Sequence, residues 1–303
     1  MSIRLNHQPQ QFLRLRHRPK YSHTLLTDLL KENPFERLGR FKWVRHLYSD
    51  WQALKQRNAH KLPKYWPPHT KTVFVELGAD FINRAIAGLQ HNAITPGLSL
   101  PRTTTTAILN YARSSLCYEP GRSTPFRIDE VKQVQLQNTK VFRGLVEHPE
   151  HCPEIQCLVR DPLLLTVVQR YLRYWPTQIT THLTWSIPTT LPLAEVQKFY
   201  PPTRYHYDIA GFNFMTAYFY ITPVTRIMDG AHIMIPGTHR HKPFALMFSG
   251  SHSEQTIERY FGLSKAVPIL GDAGFGFIQD PSCIHRLHPP ALQNRLLLQI
   301  RYS

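Results

Sequence analysis

The spacing of apolar residues divides the chain into a helical first part and a strand-rich second part. Apolar residues recur every three or four positions over 25–30, 41–54 and 77–89, which predicts three helices. A further helix is predicted over 103–115, opened by threonines whose hydroxyls can cap it. Asp161-Pro162 predicts another helix start, because aspartate caps well and proline suits the first helical position.

From residue 179 onward, short apolar and polar alternations end in turn residues. These turns are predicted because glycine, proline and aspartate favour the backbone conformations that turns require. They lie at Asp229-Gly230, Pro236-Gly237 and Gly271-Asp272. Predicted strands cover 179–187, 200–209, 212–222, 231–235, 266–270, 274–278 and 294–302. Many short strands after a helical part predict an α+β protein whose β part is a double-stranded β-helix, the jelly roll of cupin-like barrels, flanked by helices. We divide the chain into a basic, mostly helical N-terminal extension, 1–90, and a jelly-roll domain, 91–303.

Charge is unevenly distributed along the chain. The 36 Lys and Arg against 20 Asp and Glu give a net charge of +16. Residues 1–70 hold 14 basic and 4 acidic side chains, hence 14 − 4 = +10 of that excess. Such a field attracts polyanions, anionic membrane surfaces or acidic substrates, although a simple solvated basic surface is the alternative, and nucleic acid is not the favoured partner.

The cysteines and the hydropathy of the chain indicate the cellular compartment that we expect for the protein. The 4 cysteines contain no CxxC pair, which argues against a disulfide framework. No apolar run approaches the roughly 20 residues that span a bilayer, and the first residues lack the apolar stretch of a secretory signal. We therefore expect no transmembrane segment, a reducing compartment and a cytoplasmic protein.

A candidate metal site begins at Tyr205-His206-Tyr207-Asp208. On a predicted strand, His206 and Asp208 emerge on one face about 7 Å apart at Cα. Two histidines and one carboxylate form the facial triad of non-haem Fe(II) oxygenases, which leaves positions open for other ligands. His285, after the strand at 274–278, is the candidate third ligand. Four other histidines remain alternatives from the residues alone: His232, His239, His241 and His288.

Several further motifs follow in a fixed order. They are His206-Tyr207-Asp208, Asp229-Gly230-Ala231, Pro236-Gly237-Thr238-His239-Arg240, Gly271-Asp272-Ala273-Gly274, His285 and Asn294-Arg295. With these motifs the stretch from Tyr205 to Tyr302 resembles the phytanoyl-CoA dioxygenase family of iron(II)- and 2-oxoglutarate-dependent oxygenases. The resemblance extends over about the C-terminal two thirds of the chain.

The resemblance implies a ligand set and a cofactor set. His206, Asp208 and His285 would bind Fe(II), O2 would be consumed, and Arg295 would pair with the distal carboxylate of 2-oxoglutarate through its planar fork. Arg301 shares the strand face but lies about 20 Å farther along, too far to hold the same small ligand.

The chain also departs from the family pattern. Tyr207 stands between the first two ligands, and Leu287 occupies a position where a hydroxyl can assist the co-substrate. Thr216 and Tyr218, which alternate on the next strand, could supply replacement contacts; packing on a half-buried strand is the alternative.

The resemblance implies an oxygenase of the hydroxylase type, which releases succinate and CO2 and acts on a small or carrier-bound substrate. The basic charge of the chain favours an anionic substrate. Retention of Asp208 disfavours halogenation, because related halogenases have a small residue there. Two alternatives stay open: a cupin-like isomerase or hydrolase with a Lewis-acid metal, and a basic polyanion-binding protein with an inactive barrel. One other group of metal-capable residues matches no standard zinc spacing: His148, His151, Cys152 and Cys157.

Overall fold

The computed structural model describes residues 34–58, 71–74, 77–78, 80–122, 124–137 and 140–303. The helix predicted around 25–30 lies outside these residues. The α-helices of the described part are α1 Lys42–Asn58, α2 Phe81–Asn92, α3 Arg102–Ser114, α4 Val131–Gln137, α5 Pro153–Val159, α6 Pro162–Leu172, α7 Leu193–Phe199, α8 Phe244–Met247 and α9 Glu254–Phe261.

The strands are short, as the turn spacing predicts. They are β1 Ile94–Ser99, β2 Cys117–Tyr118, β3 Arg143–Val146, β4 Ile179–Ser186, β5 Met215–Tyr220, β6 His232–Met234, β7 Val267–Ile269, β8 Phe275–Gln279, β9 His285–Leu287 and β10 Arg295–Tyr302. Seven form one sheet in the order β1-β8-β5-β10-β4-β3-β2, and three form a second in the order β7-β6-β9. Antiparallel sheets accompanied by helices confirm the α+β class.

Aromatic residues join the two sheets. Tyr218 of β5 stacks on Phe277 of β8 with ring centroids 4.9 Å apart, and both rings lie 5.3 Å from His232 of β6. The Tyr220 hydroxyl donates to the Ile269 carbonyl oxygen at 2.9 Å, which links β5 to β7. The small sheet therefore packs on one face of the large sheet, and the space between them is lined by rings.

Strand β10 shows how the large sheet separates its two faces. Leu296, Leu298 and Ile300 are fully buried in the core that includes α2 and α6. Alternation places Arg295 and Arg301 on the opposite face, toward the small sheet. The core holds the strand in place, and the strand holds two guanidinium groups between the sheets.

Both predicted helix starts are found to within one residue, but only one of the two predicted caps is present. Asp161 caps α6 by accepting from the backbone N–H groups of Leu163 at 2.9 Å and Leu164 at 3.2 Å. Helix α3 begins after Pro101 without a side-chain cap. Thr105 instead donates its hydroxyl to the Pro101 carbonyl oxygen at 3.2 Å, because a hydroxyl inside a helix bonds readily to the carbonyl four residues earlier.

The strand predicted at 200–209 is wrong. Pro201–Thr203 forms a 3-10 turn, because consecutive prolines fix φ and remove the N–H groups that a strand needs. Only an isolated antiparallel bridge follows: His206 N–H donates to the His285 carbonyl at 2.9 Å, and His285 N–H donates back at 2.8 Å. This bridge places the two histidines side by side.

Candidate metal centre

The structure brings together the three residues that the sequence singled out. One candidate ligand atom from each of His206, Asp208 and His285 lies within 4.8 Å of the other two. His206 Nε2 is 3.6 Å from Asp208 Oδ1, and the two imidazole rings have centroids 4.4 Å apart. The Asp208 backbone N–H donates to the Pro281 carbonyl at 2.8 Å, so all three residues are anchored through the main chain.

Both imidazole rings are oriented by backbone carbonyls. His206 Nδ1 donates to the Arg204 carbonyl oxygen at 2.8 Å, and His285 Nδ1 donates to the Cys283 carbonyl oxygen at 2.8 Å. A carbonyl oxygen only accepts, so Nδ1 of each ring carries a proton, and in the neutral imidazole the lone pair of Nε2 is available to a metal. This arrangement is typical of metal-binding histidines, whose other nitrogen is held by an outer partner.

Protonation states at the centre also suit a metal ion. Burial, together with the neighbouring charge of His206, lowers the pKa of His285 to about 4, so its ring is neutral near pH 7. Burial opposes ionisation of Asp208, yet His285, His206 and Arg301 outweigh it and hold its pKa below the ordinary value. Neutral imidazole and ionised carboxylate are the forms that coordinate metals.

The rival histidines have other surroundings. His239 Nε2 contacts the Gln90 carbonyl at 3.2 Å, and His288 Nδ1 contacts the Pro289 carbonyl at 2.9 Å. His232 stacks on His285 with centroids 5.0 Å apart, and burial keeps its pKa well below the usual range. His232 is therefore a neutral side chain in the wall of the site, whereas from the sequence it was an alternative metal ligand.

Arg295 is buried without a carboxylate partner among the described residues. Its side chain is 3% exposed, and Nη1 donates to the Gly230 carbonyl oxygen at 2.6 Å. Its Nε has no hydrogen-bond partner in the described part of the chain. Burial lowers the pKa of Arg295, and the guanidinium lies 5.8 Å from the Tyr220 ring. A buried cation in this state is costly unless an anion neutralises it.

Arg301 approaches the centre from the other end of β10. Its Nη2 lies 3.8 Å from Asp208 Oδ2, and about a third of its side chain is exposed, at 33%. Arg301 was not predicted to join the site, because it lies about 20 Å from Arg295 along the strand. The alternation along β10 was the available signal, since it already placed both guanidinium groups on one face.

Thr216 and Tyr218 line the same space. Both are 2% exposed, and β5 pairs Thr216 with Arg301 and Tyr218 with Gln299. Burial raises the pKa of Tyr218, and the nearby charge of Asp208 raises it further, which keeps the phenol protonated. Contacts of these two side chains with a co-substrate remain predictions.

A polar network reaches the centre from α1. Arg45 donates from Nη2 to Asp280 Oδ2 at 2.6 Å, from Nε to Asn213 Oδ1 at 2.9 Å, and from Nη1 to Ser282 Oγ. Asp280 also accepts from the Tyr171 hydroxyl at 2.6 Å. Burial disfavours the charge on Asp280, but Arg45 outweighs it and holds the pKa of that carboxyl well below its usual range.

The anchored loop, 280–284, carries two of the carbonyl groups that hold the candidate ligands. The Pro281 carbonyl accepts from the Asp208 N–H, and the Cys283 carbonyl accepts from His285 Nδ1. Lys242 also holds this loop, because its Nζ donates to the Ser282 carbonyl oxygen at 2.7 Å. No sequence pattern predicts this network, because its members are far apart along the chain.

A second group of metal-capable atoms lies elsewhere on the surface. One atom each of His148, Glu150 and His151 lies within 4.8 Å of the others, and both histidines are exposed. Cys152 is buried and contacts Glu154 at 3.2 Å, so it does not join this group. Exposed groups of this kind are common without a metal.

No protein-family model and no curated protein matches the sequence. Among solved structures, the chain is similar to the epimerase SnoN in complex with Fe3+, alpha ketoglutarate and nogalamycin RO, at 13% identity and a TM-score of 0.50. The match covers 73% of this chain and 83% of that chain. The likeness concerns the fold, and membership of the phytanoyl-CoA dioxygenase family stays a prediction.

Two further solved structures have lower TM-scores. The carbocyclase SnoK from nogalamycin biosynthesis is 16% identical with a TM-score of 0.48, and the match covers 77% of this chain and 85% of that chain. EvdO2 from Micromonospora carbonacea var. aurantiaca, complexed with 2-oxoglutarate, is 11% identical with a TM-score of 0.47, over 77% and 93%. Within the described residues, no helix is both long and apolar enough to cross a membrane.

Proposed function

We propose that the chain is an iron(II)- and 2-oxoglutarate-dependent oxygenase built on a double-stranded β-helix of the phytanoyl-CoA dioxygenase type. The observation that carries the proposal is the convergence of His206, Asp208 and His285 between the same two sheets that bury Arg295, which has no carboxylate partner among the described residues. SnoN, whose fold is similar, is described in complex with Fe3+ and alpha ketoglutarate, which supports the same cofactor class here.

Each residue has a role in this proposal. His206, Asp208 and His285 hold Fe(II) through two nitrogens and one carboxylate oxygen, a donor set that suits this ion. The bound iron supplies the chemistry that couples O2 to oxidative decarboxylation of 2-oxoglutarate, giving succinate and CO2. Arg295 binds the distal carboxylate of 2-oxoglutarate, which removes the cost of its buried and unpaired charge.

The remaining side chains shape and dry the site. Tyr218, His232 and Phe277 form an aromatic wall between the sheets, with centroid separations of 4.9–5.3 Å. A wall of this kind excludes water from the reacting atoms. Thr216 and the Tyr218 hydroxyl face the co-substrate and replace the hydroxyl that the family pattern places where Leu287 stands.

The substrate proposed is a small or carrier-bound molecule with an anionic group. Arg301 supports this class, because its guanidinium lies 3.8 Å from Asp208 and stays partly exposed to an entering molecule. Paired screening tests the assignment: carboxylates or phosphates are compared with their neutral amides or esters, and substrate-stimulated succinate release is measured. Stimulation by the neutral members alone would contradict the anionic class.

The cofactor assignment is tested by anaerobic titration of the purified protein with Fe(II) and 2-oxoglutarate. We expect a visible charge-transfer band, followed by succinate on exposure to O2. Asp208→Ala should lose the band through weaker metal binding. Arg295→Gln should keep metal binding and weaken 2-oxoglutarate binding by at least about tenfold, since a charge-assisted bidentate contact contributes about 1.5–3 kcal/mol.

Arg226→Gln is the matched control. Arg226 belongs to the turn that ends at Gly230, but its side chain is exposed and pairs with Asp229 at 2.9 Å. This substitution should leave both titrations unchanged. Metal binding with neither a 2-oxoglutarate band nor succinate would refute the oxygenase and favour Lewis-acid chemistry at the same ligands.

A further inference from the structure

Helix α1 exposes four large apolar residues to solvent and buries three polar residues, together with Val44. Arg45, Ser49 and Gln52 are buried, at 9%, 2% and 6% exposure. The large apolar residues, spaced by four, four and three positions, share the opposite side of the helix. They are Trp43, Leu47, Trp51 and Leu54, at 63%, 60%, 52% and 58% exposure. An amphipathic helix of a globular protein normally has the reverse orientation.

The apolar face continues beyond the helix. Phe41 lies 6.3 Å from Trp43 and 6.2 Å from Phe248 between ring centroids, and Phe248 lies 4.9 Å from Phe244. Phe244 and Phe248 are themselves exposed, at 70% and 57%. We call this surface, from Phe41 and the α1 stripe to Phe244 and Phe248, the α1 face. Contiguous apolar surfaces of this kind mark interaction sites.

Basic residues surround the α1 face. Lys55 Nζ lies 4.9 Å from the centroid of the Trp51 ring, and the Arg40 guanidinium lies 5.2 Å from that of Phe248. Lys42 and Arg57 are exposed on the same helix. The one acid of α1, Asp50, is paired with Arg173 at 2.8 Å, so it does not offset the positive rim.

We propose that the α1 face docks on an anionic membrane surface. Tryptophan, leucine and phenylalanine on one side, bordered by lysine and arginine, are the composition of helices that lie in the bilayer interface. The apolar rings would enter the acyl boundary while the basic rim meets acidic headgroups. The net charge of +10 in residues 1–70 adds long-range attraction between the protein and an anionic bilayer.

Vesicle co-sedimentation of the full-length chain tests the proposal. We expect binding to vesicles of phosphatidylcholine with phosphatidylserine, little binding to phosphatidylcholine alone, and weaker binding as salt rises. Trp43→Ser/Trp51→Ser should lower the affinity by at least about tenfold, because two rings no longer enter the bilayer. Leu292→Ser is the control, since Leu292 is 71% exposed but belongs to the loop before β10.

Circular dichroism and the melting temperature of each variant show whether the fold is kept. Wild-type protein that stays in solution with anionic vesicles overturns the proposal, as does equal vesicle binding by the double variant. Wild-type dimers that the double variant dissociates would assign the α1 face to a second copy of the chain. Trp43 and Trp51 already protected from an aqueous quencher in the free monomer would assign it to another part of the same chain. Both of these results also overturn membrane docking.

Discussion

Removal of the Arg45 guanidinium should destabilise the protein and loosen the metal centre together. Arg45→Ala deletes contacts to Asp280, Asn213 and Ser282 and leaves the carboxylate of Asp280, which is 1% exposed, without its cation. The Tyr171 hydroxyl still donates to that carboxylate, but it carries no charge. A buried charge that has lost its partner is the most costly outcome of such a deletion.

The expected loss is about 3–5 kcal/mol of unfolding free energy, the range for breaking a buried ion pair. With an unfolding entropy of about 2.1 cal/mol/K per residue, 303 residues convert this loss to a melting shift of about 5–8 °C. Fe(II) affinity should also fall, by roughly 10–100-fold, because the loop at 280–284 supplies the carbonyl groups that position Asp208 and His285.

Differential scanning calorimetry and anaerobic metal titration measure the two effects. Arg173→Ala is the comparison, because its pair with Asp50 is exposed, at 45% and 62%, and such pairs contribute at most about 1 kcal/mol. Arg45→Lys should recover part of the stability but less of the metal affinity, since one ammonium cannot reach all three acceptors. If Arg45→Ala melts no lower than Arg173→Ala, or binds Fe(II) as wild type does, the anchoring role is refuted.

Three other substitutions follow from single contacts. Gly230→Ala should cost about 1–3 kcal/mol in thermal unfolding and weaken 2-oxoglutarate binding, since φ is +99° and a Cβ would lie 2.8 Å from Arg295 Cδ; unchanged binding would contradict this. Asp280→Asn should be less stable than wild type at neutral pH, and the difference should narrow only in acid. Because the folded protein holds the pKa of Asp280 low, the ionised carboxylate stabilises the fold above the unfolded pKa of about 3.9. That contribution is lost as pH falls through the folded pKa. If the stability difference between Asp280→Asn and wild type already vanishes near pH 6, the inferred lowering of the Asp280 pKa is contradicted. Leu298→Ala should cost about 2–5 kcal/mol in denaturant unfolding, whereas Leu292→Ala, at an exposed position, should be near neutral.

The sequence was informative where local chemistry decides structure. Asp161-Pro162 fixed the start of α6, and alternation along β10 fixed which side chains face the core. His206 and Asp208 were found together because they are two residues apart. His285 needed the family spacing, and the structure brings it beside them through one backbone bridge rather than through the predicted strand.

Long-range pairing is what local patterns could not supply. Arg45 and Asp280 are 235 positions apart, and nothing near either residue indicates the other. The apolar stripe on α1 predicted a helix correctly but not its orientation, in which Leu47, Trp51 and Leu54 are exposed while Arg45 makes buried polar contacts. Apolar periodicity predicts a helix and its two faces. Which face packs against the protein depends on contacts with residues far away in the chain.

Charge balance at the centre links the two arginines of β10 to the proposed substrate. In the proposed oxygenase, a divalent ion and two guanidinium groups against the single carboxylate of Asp208 would give a formal excess of three positive charges. 2-Oxoglutarate is a dianion and would offset two of these charges, at the metal and at Arg295. The third charge would remain on Arg301, whose side chain is partly exposed. An anionic group on the substrate would complete the balance by pairing with Arg301, so replacement of that group by a neutral one should weaken substrate binding to the complex that already holds 2-oxoglutarate.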